Sequence, residues 1–178
     1  MISRSACVLV GGASRRMGRD KALLDVDGLP AYQRSANLLV ECGFESVTLI
    51  GGDGSRFANA PHESDRVPGL GPLGGIGRAL EIADPVFVFA VDLHGLDRMS
   101  LSVLLEAGSP EHDVTHARSG GVPQPLLGWW GGKAASVIEH SLRDGRRSVF
   151  DALDVLRVRA IDLPGDPIRN INRPDDLR

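Results

Sequence analysis

The chain has 178 residues, enough for one domain with a sizeable core, and its hydrophobic share of 42% is ordinary for a globular protein. A formal net charge of −3 argues against a general nucleic-acid or anionic-membrane surface. Two cysteines, Cys7 and Cys42, make no disulfide framework, no secretory leader or membrane span is legible, and a reducing cytoplasm is the expected compartment.

In chain order, "ACVLV" reads as a buried strand that ends at Gly11-Gly12. "AYQRSANLLVEC" has helical spacing, and Gly43 is placed to end that helix. "SVTLI" is a second strand, closed by Gly51-Gly52, and "GGIGRALEIA" a helix stopped near Asp84-Pro85. "VFVFAV" is the most apolar strand and runs directly into Asp92. "LSVLLEA" is a helix, "DVTHA" and "PLLGWW" are strands, "AASVIEHSLRD" and "SVFDALDVL" are helical, and "VRAIDL" is a strand. This alternation predicts an α/β fold: a Rossmann-like three-layer α/β/α sandwich with a mostly parallel mixed sheet, one domain over residues 1–178. In such sheets the working site lies at the carboxyl ends of the strands. Two strand ends here carry distinctive chemistry, the loop after Val10 and the aspartate after Val91.

The first loop, "GGASRRMGRDK", gathers Arg15, Arg16, Arg19 and Lys21 on an otherwise acidic protein. It is no P-loop, because Gly-Lys-Ser/Thr is absent, and no dinucleotide fingerprint, because Gly-x-Gly-x-x-Gly is missing after the strand. What remains is exposed backbone amides near Gly11, Gly12 and Ser14, followed by cations, which suits a polyphosphate. A solvated charge run is the plain alternative on composition alone. His112 and His116 are four apart, but a strand does not bring such residues together, so no metal site is expected there.

The fuller pattern resembles the signature of the nucleotidyltransferases that build molybdenum cofactor dinucleotides. Leu9, Gly11, Gly12, Arg16, Met17, Gly18, Asp20 and Lys21 match its Leu-x-Gly-Gly-x-x-x-Arg-Met-Gly-x-Asp-Lys run. "GLGPLGGI", "AVDL", "QPLLGWW", "DGRRS" and "NINRPDDL" are similar to further family segments, in the same order along nearly the whole chain. The resemblance implies a molybdenum cofactor guanylyltransferase, which moves GMP from GTP to a molybdopterin-type acceptor and releases pyrophosphate. It implies an N-terminal half that binds nucleotide and a C-terminal half that binds acceptor.

For individual residues the resemblance implies the following roles. Lys21 and Arg16 meet the phosphates, Arg16 as a guanidinium able to grip two oxygens. Gly11-Gly12 leaves room for a flat base and favours guanine, where an Ala-Gly pair accompanies cytosine. Leu9, Ser14 and Asp65 belong to the GTP site, and Asp92 holds Mg²⁺ as a hard oxygen ligand. Gln124, Arg146, Arg147, Asn170 and Asn172 fall in the acceptor-half motifs. Each has a plainer use: a surface lysine, a tight glycine turn, a turn aspartate, or asparagine turn chemistry before Pro174. The family usually follows its metal aspartate with x-Pro; here Leu93-His94-Gly95 stands in that place. The implied partners are small molecules, GTP and the acceptor, with transient contacts to proteins that deliver or receive cofactor; no nucleic acid or membrane is implied. A cytidylyltransferase of the same cofactor, a nucleotidyltransferase for a sugar or other small phosphate, and a nucleotide-binding module without turnover are the alternatives.

Overall fold

The fold is known from a computed structural model that describes residues 4–11, 20–57, 60–165 and 168–170, the last two as backbone only. It opens with strand β1 (Ser5–Leu9). After a short hairpin, β2 (Asp25–Val26) and β3 (Leu29–Pro30), comes helix α1 (Ala31–Glu41). Then follow β4 (Ser46–Ile50), the two-residue strand β5 (His62–Glu63) and α2 (Gly71–Ile82). β6 (Val86–Ala90), β7 (Leu93–His94) and α3 (Arg98–Glu106) complete the first half. The second half contains β8 (Val114–Ser119), β9 (Val122–Trp130), α4 (Ala134–Arg143), α5 (Val149–Leu153), β10 (Val158–Asp162) and β11 (Arg169–Asn170).

The main sheet has the order β10-β8-β9-β6-β1-β4-β5. β1 pairs in parallel with β4 and β6, β4 with β5, and β8 with β10. β9 is antiparallel to both of its neighbours, so it alone reverses direction among the described strands of this sheet. Strand alternation sends side chains to opposite faces. Ala6, Val8, Phe87 and Phe89 join Leu39, Leu101 and Leu104 on one side, under α1 and α3. Cys7, Leu9, Val86 and Val88 join Leu73, Ile76 and Ile138 on the other, under α2 and α4. The result is the three-layer α/β/α sandwich with a mostly parallel mixed sheet that the alternation predicts.

β6 is buried at every residue. Each of its valines and phenylalanines contributes about 1.5–3 kcal/mol by leaving water. That burial makes β6 a rigid stalk, and Asp92 stands just past its end.

Several boundaries differ from the sequence expectation: α3 starts at Arg98 rather than Leu101, β9 at Val122 rather than Pro125, and α2 and α5 differ as well. α2 starts at Gly71 rather than Gly74, because Pro72 occupies the first turn, where its missing N–H costs nothing. α5 is shorter than "SVFDALDVL"; Ser148 caps it by accepting from the Asp151 N–H, and Asp154 closes it.

Candidate active site

The carboxyl ends of β4, β1 and β6 lie side by side. β1 stays paired to its last described residue: the Val10 and Gly11 amides both donate to the Ile50 carbonyl, at 2.9 and 3.1 Å, and the Val91 amide donates to Leu9 at 3.2 Å. Gly11, Gly51 and Asp92 therefore crown neighbouring strands. Leu9 itself is buried in the core beneath them.

Residues 12–19 of the first loop, among them Gly12, Ser14, Arg16, Met17 and Gly18, lie outside the described residues. The chain is described again from Asp20. Its carboxylate accepts from the Ala22 amide at 3.1 Å and so caps a single 3₁₀ turn, Lys21–Leu23. Ala22 is completely buried and pins that turn to the core. The pinned turn aims Lys21 at the end of β6, where its Nζ sits 3.1 Å from Asp92 Oδ2. The two side chains are 23% and 27% exposed, so the pair is covered yet within reach of a ligand. Two motifs 71 residues apart thus meet in one ion pair.

Beside this pair lies a bare backbone platform. Gly51 and Gly52 have φ of +84° and +71°, a region that strongly favours glycine. Gly11 packs flat on Gly51: a Cβ added to Gly51 would lie 2.8 Å from the Gly11 Cα. Asp65 overhangs the same place, with its Oδ2 3.2 Å from where a Gly11 Cβ would stand. Burial pushes the Asp65 carboxyl above the usual carboxylate range, with His62 opposing the shift. A half-covered carboxylate of this kind gains most from a ligand that brings hydrogen-bond donors.

His62 has no motif in the sequence, and its place emerges only from the fold. β5 holds it against β4, its Nε2 lies 2.8 Å from the Gly51 carbonyl, and its ring packs 5.4 Å from that of Phe57. Glu63 fixes the platform from the other side by accepting the Gly51 amide at 2.9 Å. Arg78 of α2 clamps Glu63 in turn at 2.6 Å.

The acceptor-half residues divide. β11 pairs antiparallel with β7, which sets the Asn170 backbone opposite Leu93, next to Asp92 in the chain. Asn172 lies outside the described residues. Phe89 pairs with Leu127, so Gln124, three residues before Leu127, lies at the same end of the sheet as Asp92, three residues after Phe89. A register irregularity near Ala117 marks the same stretch of β9. Arg147 donates to the Gly69 carbonyl at 3.0 Å and so ties the second half to the loop between Asp65 and α2. Arg146 instead pairs on the surface with Asp144 at 2.9 Å, and its contacts do not bring it to this cluster.

The turn after Asp92 is stiffened by pairing where the family uses proline: Leu93 and His94 form β7, and Leu93 and Leu96 are buried. Gly95 takes the positive φ of +81° that the turn needs. Burial, and then Arg34, push the His94 imidazole below its ordinary range.

As for a metal, no group of three or more histidine, cysteine, aspartate or glutamate side chains converges among the described residues. A lone, partly exposed carboxylate such as Asp92 fits a hard cation that shares its ligands with substrate phosphates, and does not fit an all-protein cage.

Glycines, a lysine and an aspartate gathered at the carboxyl ends of adjacent parallel strands define an α/β nucleotide-binding protein. Comparison with known proteins narrows the class. The sequence profile of the MobA-like NTP transferase domain matches residues 6–158, and the chain belongs to this family. It is 33% identical to the molybdenum cofactor guanylyltransferase of Pseudomonas aeruginosa, covering 97% of this chain and 92% of that protein. It is 31% identical to the enzyme of the same name from Rhizobium rhizogenes, covering 96% and 87%. Among solved structures it is similar to the molybdopterin-guanine dinucleotide biosynthesis protein A of Archaeoglobus fulgidus, with a TM-score of 0.77 at 25% identity over 97% of this chain and 94% of that one. The CTP:phosphocholine cytidylyltransferase of Streptococcus pneumoniae shares the fold, with a TM-score of 0.72 at 15% identity over 98% and 95%. Among the described residues no helix is long and apolar enough to cross a membrane.

Proposed function

We propose that this protein is a molybdenum cofactor guanylyltransferase, transferring GMP from GTP to molybdopterin with release of pyrophosphate. The observation that carries the reading is the Lys21–Asp92 pair, which joins the two strand-end motifs in one place. Lys21, together with Arg16 and the amides near Gly12 and Ser14, grips the triphosphate. The Gly11–Gly51 platform receives the flat base. Asp65 accepts from it, since the guanine edge offers two adjacent donors that suit a carboxylate and cytosine's offers a different pattern. Asp92 is the residue that would hold Mg²⁺, which supplies charge neutralisation on the phosphates when bound.

The acceptor phosphate attacks the α-phosphorus, a P–O bond to it forms, and the bond to the leaving pyrophosphate breaks. A phosphate oxygen is already a competent nucleophile, so no covalent enzyme intermediate is needed, and catalysis is positioning plus charge stabilisation. Gln124, Arg147, Asn170 and Asn172 are the acceptor-side residues of this reading, with Arg146 as an outer cation. The N-terminal half serves the nucleotide and the C-terminal half the acceptor, within one domain.

The test is a panel of GTP, CTP, UTP and ATP with molybdopterin and Mg²⁺, reading pyrophosphate. GTP is expected to be used best, and Asp92→Ala to lose turnover while keeping its fold. Equal or better use of CTP would remove the guanine assignment, and normal turnover by Asp92→Ala would remove the metal assignment.

A further inference from the structure

Both polar backbone groups of Gly51 are engaged by β5. Its amide donates to the Glu63 carbonyl at 2.9 Å, and its carbonyl lies 2.8 Å from His62 Nε2. A carbonyl can only accept, so Nε2 of His62 carries the proton in this contact. The surface that Gly51 forms with Gly11 is therefore flat and already satisfied. The polar side chain beside it is that of Asp65, whose Oδ2 lies 3.0 Å from where a Gly51 Cβ would stand.

We propose that His62 is a positioning residue for base selectivity: by occupying the Gly51 carbonyl it leaves the choice of base to Asp65, and so favours guanine. The inference rests on the guanine reading above and names the side chain that enforces it. Where guanine carries its O6 acceptor, cytosine and adenine carry an amino donor. A Gly51 carbonyl released from His62 repels the first and accepts from the second. Capping that carbonyl removes the one backbone acceptor of the platform that would reward the wrong base, whereas Asp65 accepts from the adjacent donors that guanine has.

The surroundings hold the imidazole in one orientation. β5 places His62 opposite Leu49 of β4. The ring packs 5.4 Å from that of Phe57, which is 3% exposed and itself meets Tyr32 edge-on at 5.1 Å. On Nδ1 the neighbour is Gly54: a Cβ there would stand 2.5 Å away, so the ring has its room only because residue 54 has no side chain. Phe57 also backs Gly52, whose added Cβ would lie 3.3 Å from the Phe57 ring. One aromatic side chain thus supports both the glycine surface and the histidine that caps it. His62 stands near enough to Asp65 to oppose the effect of burial on that carboxyl as well.

The experiment measures binding of GTP, ITP, CTP and inorganic triphosphate to the full chain by titration calorimetry with Mg²⁺. His62→Leu removes the donor at similar size, and its preference for GTP over CTP is expected to fall about three- to tenfold, the scale of one hydrogen bond. His62→Gln, whose amide nitrogen reaches the place of Nε2, is expected to keep the preference. His62→Asn, one carbon shorter, is expected to lose it as His62→Leu does. Inorganic triphosphate, which has no base, is expected to bind the parent and all three variants alike, which verifies their fold. The GTP-over-ITP ratio reads the 2-amino group that Asp65 accepts and is expected to stay unchanged. A parent protein without preference for GTP over CTP would overturn the guanine reading and this inference with it. A parent with that preference, and a His62→Leu variant that keeps it, would overturn this inference alone. Equal losses for GTP, ITP and CTP, a loss of triphosphate binding, or a His62→Gln variant no better than His62→Leu would make His62 a structural residue and overturn it too.

Discussion

Lys21 is held at the strand ends with its ammonium 3.1 Å from the Asp92 carboxylate. Under the proposed reaction, negative charge grows on the leaving pyrophosphate, so the lysine matters more in the transition state than in the bound substrate. Lys21→Ala is expected to lower kcat about a hundredfold, ~3 kcal/mol in the barrier, with a smaller loss of GTP affinity. Steady-state kinetics with a separate GTP-binding measurement check this, and equal small losses in both would reduce the residue to basic surface. Gly11→Ala tests the platform. Its Cβ would meet the Gly51 Cα at 3.1 Å, Asp65 Oδ2 at 3.2 Å and the Gly52 amide nitrogen at 3.3 Å. Two of those three neighbours are backbone, so crowding is expected to cost about 1–3 kcal/mol of stability. GTP affinity should fall more than CTP affinity, since Asp65 is displaced. Urea melts and competition binding read the two effects.

At the scale of elements, Asp113 knots the second half together. It sits just before β8 and is 2% exposed. Its carboxylate accepts from the Arg157 guanidinium at 2.9 and 3.1 Å, from the Arg157 amide at 3.0 Å and from the Lys133 amide at 3.3 Å. The Arg157 hydrogen bonds hold the Asp113 carboxyl far below the usual carboxylate range, against the pull of burial. A depressed folded-state pKa stabilises the fold above the unfolded value, near 3.8, and that stability fades as pH falls toward the folded value. Asp113→Asn is therefore expected to lose about 1–3 kcal/mol at pH 7, discounted because Arg157 can turn to water. The gap to the parent protein should narrow below pH ~4. Urea unfolding at pH 7 and at pH 3.5 checks both; a gap that widens in acid would contradict the assignment. None of this was legible in "HDVTHA", because the partners are 20 and 44 residues away. The elements that were legible are those whose own residues dictate them: the continuous apolar runs of β1 and β6 and the periodic helices α1 and α4. The short strands β5, β7 and β11 have no pattern of their own and exist through pairing, although Asp27-Gly28 was a readable signal for the β2–β3 hairpin. The site followed the same rule. Lys21 and Asp92 stand in motifs and Asp65 a few residues before one, whereas His62 and Arg78 act on the Gly51 platform only once β4 and β5 are side by side.

For the molecule as a whole, the two faces of the sheet are filled, and the groups assigned to the proposed reaction stand on one rim of it. The turn that carries Lys21 touches the β6 end through its ion pair and the core through Ala22. A nucleotide that engages both Lys21 and Asp92 therefore cross-links the first loop to the central strands, and it does so only in the folded protein. Binding to the folded state alone stabilises by RT ln(1 + [L]/Kd), about 2.7 kcal/mol at a hundredfold excess over Kd. For a domain of this size that corresponds to a rise in Tm of roughly 5–10 °C. GTP with Mg²⁺ is expected to give the full rise and CTP with Mg²⁺ a smaller one at the same concentration. Asp92→Ala should lose the increment that Mg²⁺ adds while keeping a response to GTP alone, because Lys21, released from its carboxylate partner, still meets the phosphates. Lys21→Ala should show the reverse weighting. Thermal melts of the parent and both variants, with GTP or CTP and with Mg²⁺ or EDTA, separate the two contributions. A rise that is identical for the two nucleotides, or that survives intact in both variants, would mean that the nucleotide is held away from this rim and that the Lys21–Asp92 pair is structural.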